Sequence, residues 1–301
     1  MFKTENEIQS SEVHLIPQIR WGLGYQLAAA LLRLGRKVSS LKQISEDLEK
    51  IDHLKISFYS QSEIDLQKEK FKSQDNEIFA VFLCPEMEVS LNKPPSSSTI
   101  QKLLNLAEKF LAINPELHLI TLLPKSVSKE DVMSFQLLSH KSTVFLSPAT
   151  YGFRDRALLD FALKNPFHLK KFSSINDKLS IAFSRDIVAY VLSAFNKSDC
   201  FGKTYILPEQ ISSLKEWQSY FEKTFKKKSI LSKEGLKSLF SKTEFPPLSN
   251  MQGSAFELEL LKAEDFFPNA PSKTERSLNL IFEQNQKHPE LETHFPPPRA
   301  L

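Results

Sequence analysis

Residues 78–83 read Ile78-Phe79-Ala80-Val81-Phe82-Leu83, an almost unbroken apolar run with polar residues on either side. A strand wetted on one face alternates apolar and polar positions, so a continuous run marks a parallel strand covered on both faces. This is the expected central strand of a sheet. Further strands are expected at 13–16, 117–123 and 143–146, a second strand at 37–41 directly follows the first helix, and 54–59 alternates like a strand. Between these runs the period becomes helical. Ile100, Leu103, Leu104, Leu106, Ala107, Phe110 and Leu111 share one side of a helix over 99–113, after the break at Pro94-Pro95-Ser96-Ser97-Ser98. Further helices are expected at 25–34, 128–140 and, short and charged, 44–51, while 61–73 is polar and either helical or looped. Strands alternating with helices predict an α/β fold built on a doubly wound parallel sheet.

Beyond Tyr151 the pattern loosens into a helix at 156–164, a strand at 179–183, a helix at 187–195 and a strand at 204–207. An irregular region rich in Lys, Phe and Pro follows. The expected division is a polar N-terminal segment at 1–11, a Rossmann-like core at 12–151 and a smaller C-terminal lobe at 152–293. The lobe is interleaved with the last core strands, about 179–208, and a Pro-rich tail at 294–301 closes the chain. There is no internal repeat.

The stretch from Val13 to Lys42 says what kind of sheet this is, because it reads as strand, turn, helix, strand. That is the opening unit of a dinucleotide-binding fold. Gly35 ends the helix, where a glycine takes the left-handed conformation most easily. A working turn of this type carries G-x-x-G-x-x-G or a close variant. Its early glycines bring the backbone against a pyrophosphate, and the last lets helix and strand pack closely. Here Gln18 and Trp21 hold the early positions, and only Gly24 stands where the last glycine belongs. The frame is present without most of its phosphate-binding chemistry. Candidate remnants of a cofactor site are Arg20, Gly22 and Gly24, together with Lys42 at the end of the second strand. An acid at that strand end usually meets the adenosine ribose; a lysine suits the 2′-phosphate of NADP, although a solvated lysine is the plainer reading.

Composition narrows the choice. Seven glycines in 301 residues is far below the average share of about 7%, which argues against a backbone site for phosphates. The net charge of +3 gives no long-range attraction to nucleic acid or an anionic membrane. Cys84 and Cys200 form neither a metal-ligand spacing nor a disulfide framework, which suits a reducing compartment. No secretory leader opens the chain and no apolar run approaches the length of a membrane span, so a cytoplasmic location is expected.

Several segments in order resemble the extended branch of the short-chain dehydrogenase/reductase superfamily, the NAD(P)-dependent epimerase/dehydratase type. Besides the opening unit, Leu146-Ser147-Pro148-Ala149-Thr150-Tyr151-Gly152-Phe153-Arg154 is similar to the family's Arg-Pro…Tyr-Gly-Pro element, with Ser147 for Arg and Phe153 for Pro. Ile181-Ala182-Phe183-Ser184-Arg185-Asp186-Ile187-Val188 resembles its late His-Val-x-Asp-Val-Ala element; 203–207 matches the strand that follows, and 271–282 its C-terminal helix. The resemblance implies catalysis by a Tyr-x-x-x-Lys pair, with a Ser or Thr orienting the substrate while hydride moves to a nicotinamide. That pair belongs between the strands at 117–123 and 143–146, an interval that is short and holds no tyrosine. Ser126 and Ser128 there read as a loop serine or a helix N-cap.

The remaining constellations are weaker. His14 and His118 sit inside predicted strands and read as core residues. No H-E-x-x-H, Asp-rich loop or G-x-S-x-G elbow is present. Tyr151 and Arg154 are expected at the carboxyl edge of the sheet as a ligand pocket, with Arg154 clamping an anion or pairing with Asp155 or Asp186. Arg185-Asp186 reads as the cap of a helix starting near Ile187. Lys223, Lys226, Lys227 and Lys228 read as the wet face of an amphipathic helix with Trp217, Phe221 and Phe225 inward, against a basic patch for nucleic acid or membrane. Phe245, Phe266, Phe267 and Phe295 beside prolines, and the Pro296-Pro297-Pro298-Arg299 tail, suit a protein partner. The expectation is a catalytically inactive dehydrogenase-like protein acting as an interaction or regulatory module, with no cofactor, or NADP if any. The alternative is an atypical NADP-dependent reductase or nucleotide-sugar epimerase with a rebuilt turn. A homodimer through the helices at 99–113 and 128–140 is weakened by the shortness of the second.

Overall fold

The computed structural model describes residues 13–17, 22–41, 57–59, 78–85, 89, 94–152, 178–195, 197–213 and 260–266. Within these, eight strands form one sheet. They are β1 (Val13–Leu15), β2 (Lys37–Leu41), β3 (Ser57–Tyr59), β4 (Ile78–Leu83), β5 (His118–Pro124), β6 (Ser142–Ser147), β9 (Lys203–Ile206) and β11 (Leu260–Lys262). Their order is β11-β9-β6-β5-β4-β1-β2-β3, and every adjacent pair is parallel. The run at 78–83 is indeed interior, between β5 and β1. A second, three-stranded sheet takes β7 (Ala149–Tyr151), β8 (Lys178–Phe183) and β10 (Gln210–Ser213) in the order β10-β8-β7. The chain therefore leaves the main sheet after β6, returns for β9, leaves for β10 and returns for β11. This is the smaller lobe of the expected fold, threaded through the last strands of the Rossmann-like sheet.

Helices cover both faces. They are α1 (Leu23–Arg33), α2 (Ser97–Ile113), α3 (Lys129–Leu137), α4 (Ser184–Ala194) and the single turn α5 (Ala263–Phe266). β5 is buried at all seven positions, and its alternating side chains divide between two cores. Ile120 and Leu122 join Leu27 and Leu31 of α1, Ile187 and Tyr190 of α4, and Phe145. Leu119 and Leu123 join Leu103, Ala107 and Phe110 of α2, and Val132 and Phe135 of α3. Because neither face meets water, apolar residues occupy both faces of the strand, with His118 and Thr121 as its buried polar positions.

Local signals set the helix ends. Gly35 has φ 72°; the Arg36 N–H reaches the Leu31 carbonyl and the Gly35 N–H the Leu32 carbonyl, both at 3.0 Å, a Schellman closure. Ser96 caps α2 by accepting from the Thr99 N–H at 3.2 Å. At the other end the Asn114 amide donates to the Ile78 carbonyl at 2.9 Å, tying α2 to the start of β4. Two expectations need correction. α3 stops at Leu137 rather than His140. α4 starts at Ser184, three residues earlier than Ile187, so Arg185-Asp186 is not its cap: Phe183 holds the N-cap position and Asp186 lies in the first turn, where its charge suits the helix dipole. Segments 44–51, 61–73, 156–164, 223–228, 271–282 and 294–301 lie outside the described residues. No helix among the described residues is long and apolar enough to cross a membrane.

Candidate functional site

The order in which successive strands are added reverses in the main sheet between β1 and β4, all strands remaining parallel. In doubly wound folds the crevice outside the carboxyl ends of the strands at such a point takes the ligand. Here Ile16 and Pro17 follow β1, Cys84 and Pro85 follow β4, and all four are buried. Pro17, Phe82, Leu83, Cys84 and Leu103 line a cavity of about 10 Å³. That is close to the smallest space that holds one water molecule.

Of the candidate cofactor residues, Gly22 and Gly24 open α1. Gly22 is the N-cap of α1 at φ 73°, ψ −128°, a conformation that favours glycine, and its carbonyl accepts from the Gln26 N–H at 3.1 Å. Gly24 is buried in the first turn of α1, which carries no acidic residue. Arg20, Trp21, Lys42 and Arg154 lie outside the described residues. Tyr151 was expected at the carboxyl edge of the parallel sheet; it lies instead in β7 of the small sheet. Its side chain is fully buried, with its ring 5.8 Å from that of Phe183.

Three residues that sequence reasoning gave no joint role meet beside Tyr151. The Gln26 amide, on α1, donates to the Ser184 hydroxyl at the start of α4 at 2.7 Å. Gly152, directly after β7, lies so close that a Cβ built on it falls 1.9 Å from Ser184 Oγ. Glycine is required here by the closeness of approach, and the three residues lock α1, α4 and the small sheet together. A second bridge spans the carboxyl edge. Lys125, directly after β5, donates through Nζ to Glu209 Oε2 at 2.7 Å, and Glu209 directly precedes β10.

The interval expected to hold a Tyr-x-x-x-Lys pair is described in full. α3 has nine residues, Lys129–Leu137, and none from His118 to Ser147 is tyrosine. Ser128 is the N-cap of this helix: its hydroxyl accepts from the Asp131 N–H at 3.1 Å and donates to Asp131 Oδ2 at 2.7 Å. With both capacities turned to its own helix, the hydroxyl is committed to structure.

Two histidines belong to the core, as their place in strands implied. His14, Ala80 and His118 sit in one row across β1, β4 and β5, so their side chains share a face. The Phe195 ring lies 5.3 Å from His14 and 6.3 Å from His118, and Phe201 lies 4.8 Å from His118. Thr143 donates its hydroxyl proton to the Cys200 carbonyl at 2.8 Å. His118 Nε2, 2.9 Å from that hydroxyl oxygen, must therefore carry the N–H, which leaves Nδ1 as a bare acceptor. Nδ1 of each ring is buried without a hydrogen-bond partner. Burial first, then the charge of Lys141, holds the His118 pKa down to about 4. His14 is also held to about 4, by burial and then Arg36, opposed by hydrogen bonding to the Lys37 backbone. Among the described residues, no group of three or more His, Cys, Asp or Glu side chains is placed to hold a metal ion.

No protein-family model and no curated protein sequence matches this chain. Solved structures do. UDP-glucose 4-epimerase from Thermotoga maritima, with UDP-glucose, aligns at a TM-score of 0.60 and 13% identity, covering 91% of this chain and 99% of the epimerase. Leucoanthocyanidin reductase from Vitis vinifera, as its binary complex with NADPH, gives 0.58 and 12% over 90% of this chain and 99% of the reductase. Vestitone reductase from alfalfa gives 0.57 and 13% over 93% and 99%. At such identities the likeness is one of fold. The chain has the fold of the NAD(P)-dependent epimerases and reductases of the extended short-chain dehydrogenase/reductase type, as its ordered motifs implied.

Proposed function

We propose that this chain is a catalytically inactive dehydrogenase-like protein that works as a protein-interaction or regulatory module in the cytoplasm. The observation that carries the reading is α3. The segment that would bear the proton-transferring tyrosine and its lysine is a nine-residue helix without tyrosine, and its serine caps the helix. A phenol held beside a lysine is what gives this chemistry a proton donor near neutral pH. α3 offers no such pair. Gln18 and Trp21, at positions where a pyrophosphate needs glycine, support the same reading. The Phe- and Pro-rich C-terminal third would then meet a protein partner.

A second reading rests on a different observation. A neighbour in fold is solved with NADPH and another with UDP-glucose, so an NADP-dependent reductase or epimerase with a rebuilt turn would keep the same scaffold. In that case Arg20, Lys42 and Arg154 would hold phosphates. Turnover separates the two. Incubated with NADPH or NADH and a panel of carbonyl compounds, or with NADP or NAD and nucleotide sugars, the purified chain is expected to leave both the nicotinamide absorbance and the sugars unchanged. Enzyme-dependent oxidation, or epimerisation of a UDP-sugar, would replace the first reading with the second.

A further inference from the structure

The ion pair at the carboxyl edge joins the two sheets. Lys125 directly follows β5, in the interior of the main sheet, and Glu209 directly precedes β10, an edge of the small one. Both ends are anchored in the backbone ladder. The Lys125 N–H donates to the Ser147 carbonyl at 2.8 Å, and the Leu207 N–H to the Leu146 carbonyl at 2.9 Å, so β5, β6 and β9 stay paired past their ends. The pair thus crosses over the end of β6 and holds the entry to β10 down on the main sheet. β10 in turn pairs antiparallel with β8, from Gln210↔Ile181 to Ser213↔Lys178.

We propose that Lys125–Glu209 is a strap between the sheets that an anion opens. Lys125 stands at the edge where parallel sheets take their ligands, and the group at its ammonium is a carboxylate supplied by the chain itself. The side chains are 15% and 31% exposed, so a phosphate or carboxylate from solution reaches the ammonium without unfolding the protein. Charge-assisted bonds of the same class replace one another with little net change. An anion at Lys125 displaces Glu209, and the released residue is the one that leads into β10. Occupancy of the edge is thereby reported to the small sheet, whether or not the chain turns over a substrate.

Hydrogen exchange of the β10 amides tests this. Lys125→Met and the near-isosteric Glu209→Gln should each speed exchange at 210–213 about fivefold, the size expected for a partly exposed pair, while leaving β4 unchanged. The exchanged pair Lys125→Glu/Glu209→Lys should restore the wild-type rate. Inorganic phosphate should speed the same amides in the wild type beyond sodium chloride at equal ionic strength, and should do nothing further in Lys125→Met. Unchanged β10 exchange in both single variants would overturn the strap. A phosphate effect no larger than that of chloride would overturn its opening by an anion.

Discussion

Taking the protein from pH 6.5 towards pH 4 is expected to cost about 3 kcal/mol of folding stability for each of two histidines, His14 and His118. Each is held at a pKa of about 4 in the fold against an ordinary value of 6.5. The sign follows from proton uptake. Between these values the unfolded chain binds protons that the fold refuses, so the stability is whole above pH 6.5 and is lost as the pH falls through 4. The physical cause is local. The two rings are 2% and 1% exposed and packed among Phe79, Phe195 and Phe201. A proton on Nδ1 would add a buried charge and a donor without an acceptor, near Arg36 in one case and Lys141 in the other. Urea unfolding at a series of pH values measures the effect. His14→Leu and His118→Leu should each remove about half of the slope between pH 6.5 and 4.5. An unchanged slope in both would show that other groups set the acid limit.

Gly152→Ala is expected to destabilise the fold by about 2 kcal/mol, the usual size for an overpacked buried site. The new methyl would stand 1.9 Å from Ser184 Oγ, 3.2 Å from Ser184 Cβ and 3.4 Å from the Gln26 amide nitrogen. Ser184 is fully buried, so its hydroxyl cannot simply turn out to solvent, and moving it breaks the bond from Gln26. Ser184→Ala removes the offending oxygen and leaves only the tight Cβ contact. The double variant should therefore recover at least half of the loss, a coupling that independent sites would not give. Thermal unfolding of the two single variants and the double variant reads it directly, and strict additivity would mean that Gly152 is needed for some other reason.

These two sites also mark how far the sequence could be read. β4 matched its expected bounds residue for residue, because a strand buried on both faces writes its whole length in apolar side chains; β2, Lys37-Val38-Ser39-Ser40-Leu41, also matched its bounds, placed by Gly35 closing the helix before it. The Schellman closure at Gly35 was legible for a similar local reason: one residue supplies the required left-handed turn. The small sheet was not legible. β7 has three residues and follows β6 after Pro148 alone, so Tyr151 read as a residue at the carboxyl edge of the main sheet. A proline withdraws one ladder donor, but nothing local says that the chain changes sheets there. The Gln26–Ser184 bond joins residues 158 apart and Lys125–Glu209 residues 84 apart, distances over which pattern carries no pairing information. One signal was available at Gly152, since in a chain with seven glycines each one kept invites a question about close approach.

The departures from the family's motifs were more legible than the contacts between distant residues. That α3 lacks a tyrosine and that Gln18 and Trp21 replace glycines are facts of sequence; the structure adds the helix's length and the cap that uses Ser128. It also places buried prolines and a cysteine at the strand ends where a dinucleotide would lie. The aligned fold of NAD(P)-dependent epimerases and reductases gives these departures their meaning, because it says which chemistry the same frame supports elsewhere.

Titration of the purified chain with NADP, NADPH, NAD and NADH, following Trp fluorescence and the thermal midpoint together, tests the proposed loss of cofactor chemistry most directly. A scaffold without its cofactor should show no saturable change with any of the four. Saturable binding at micromolar concentration would instead stabilise the fold by about 3 kcal/mol at a hundredfold excess over Kd. That result would contradict the proposed inactivity and direct attention to a rebuilt phosphate turn around Arg20 and Gly22.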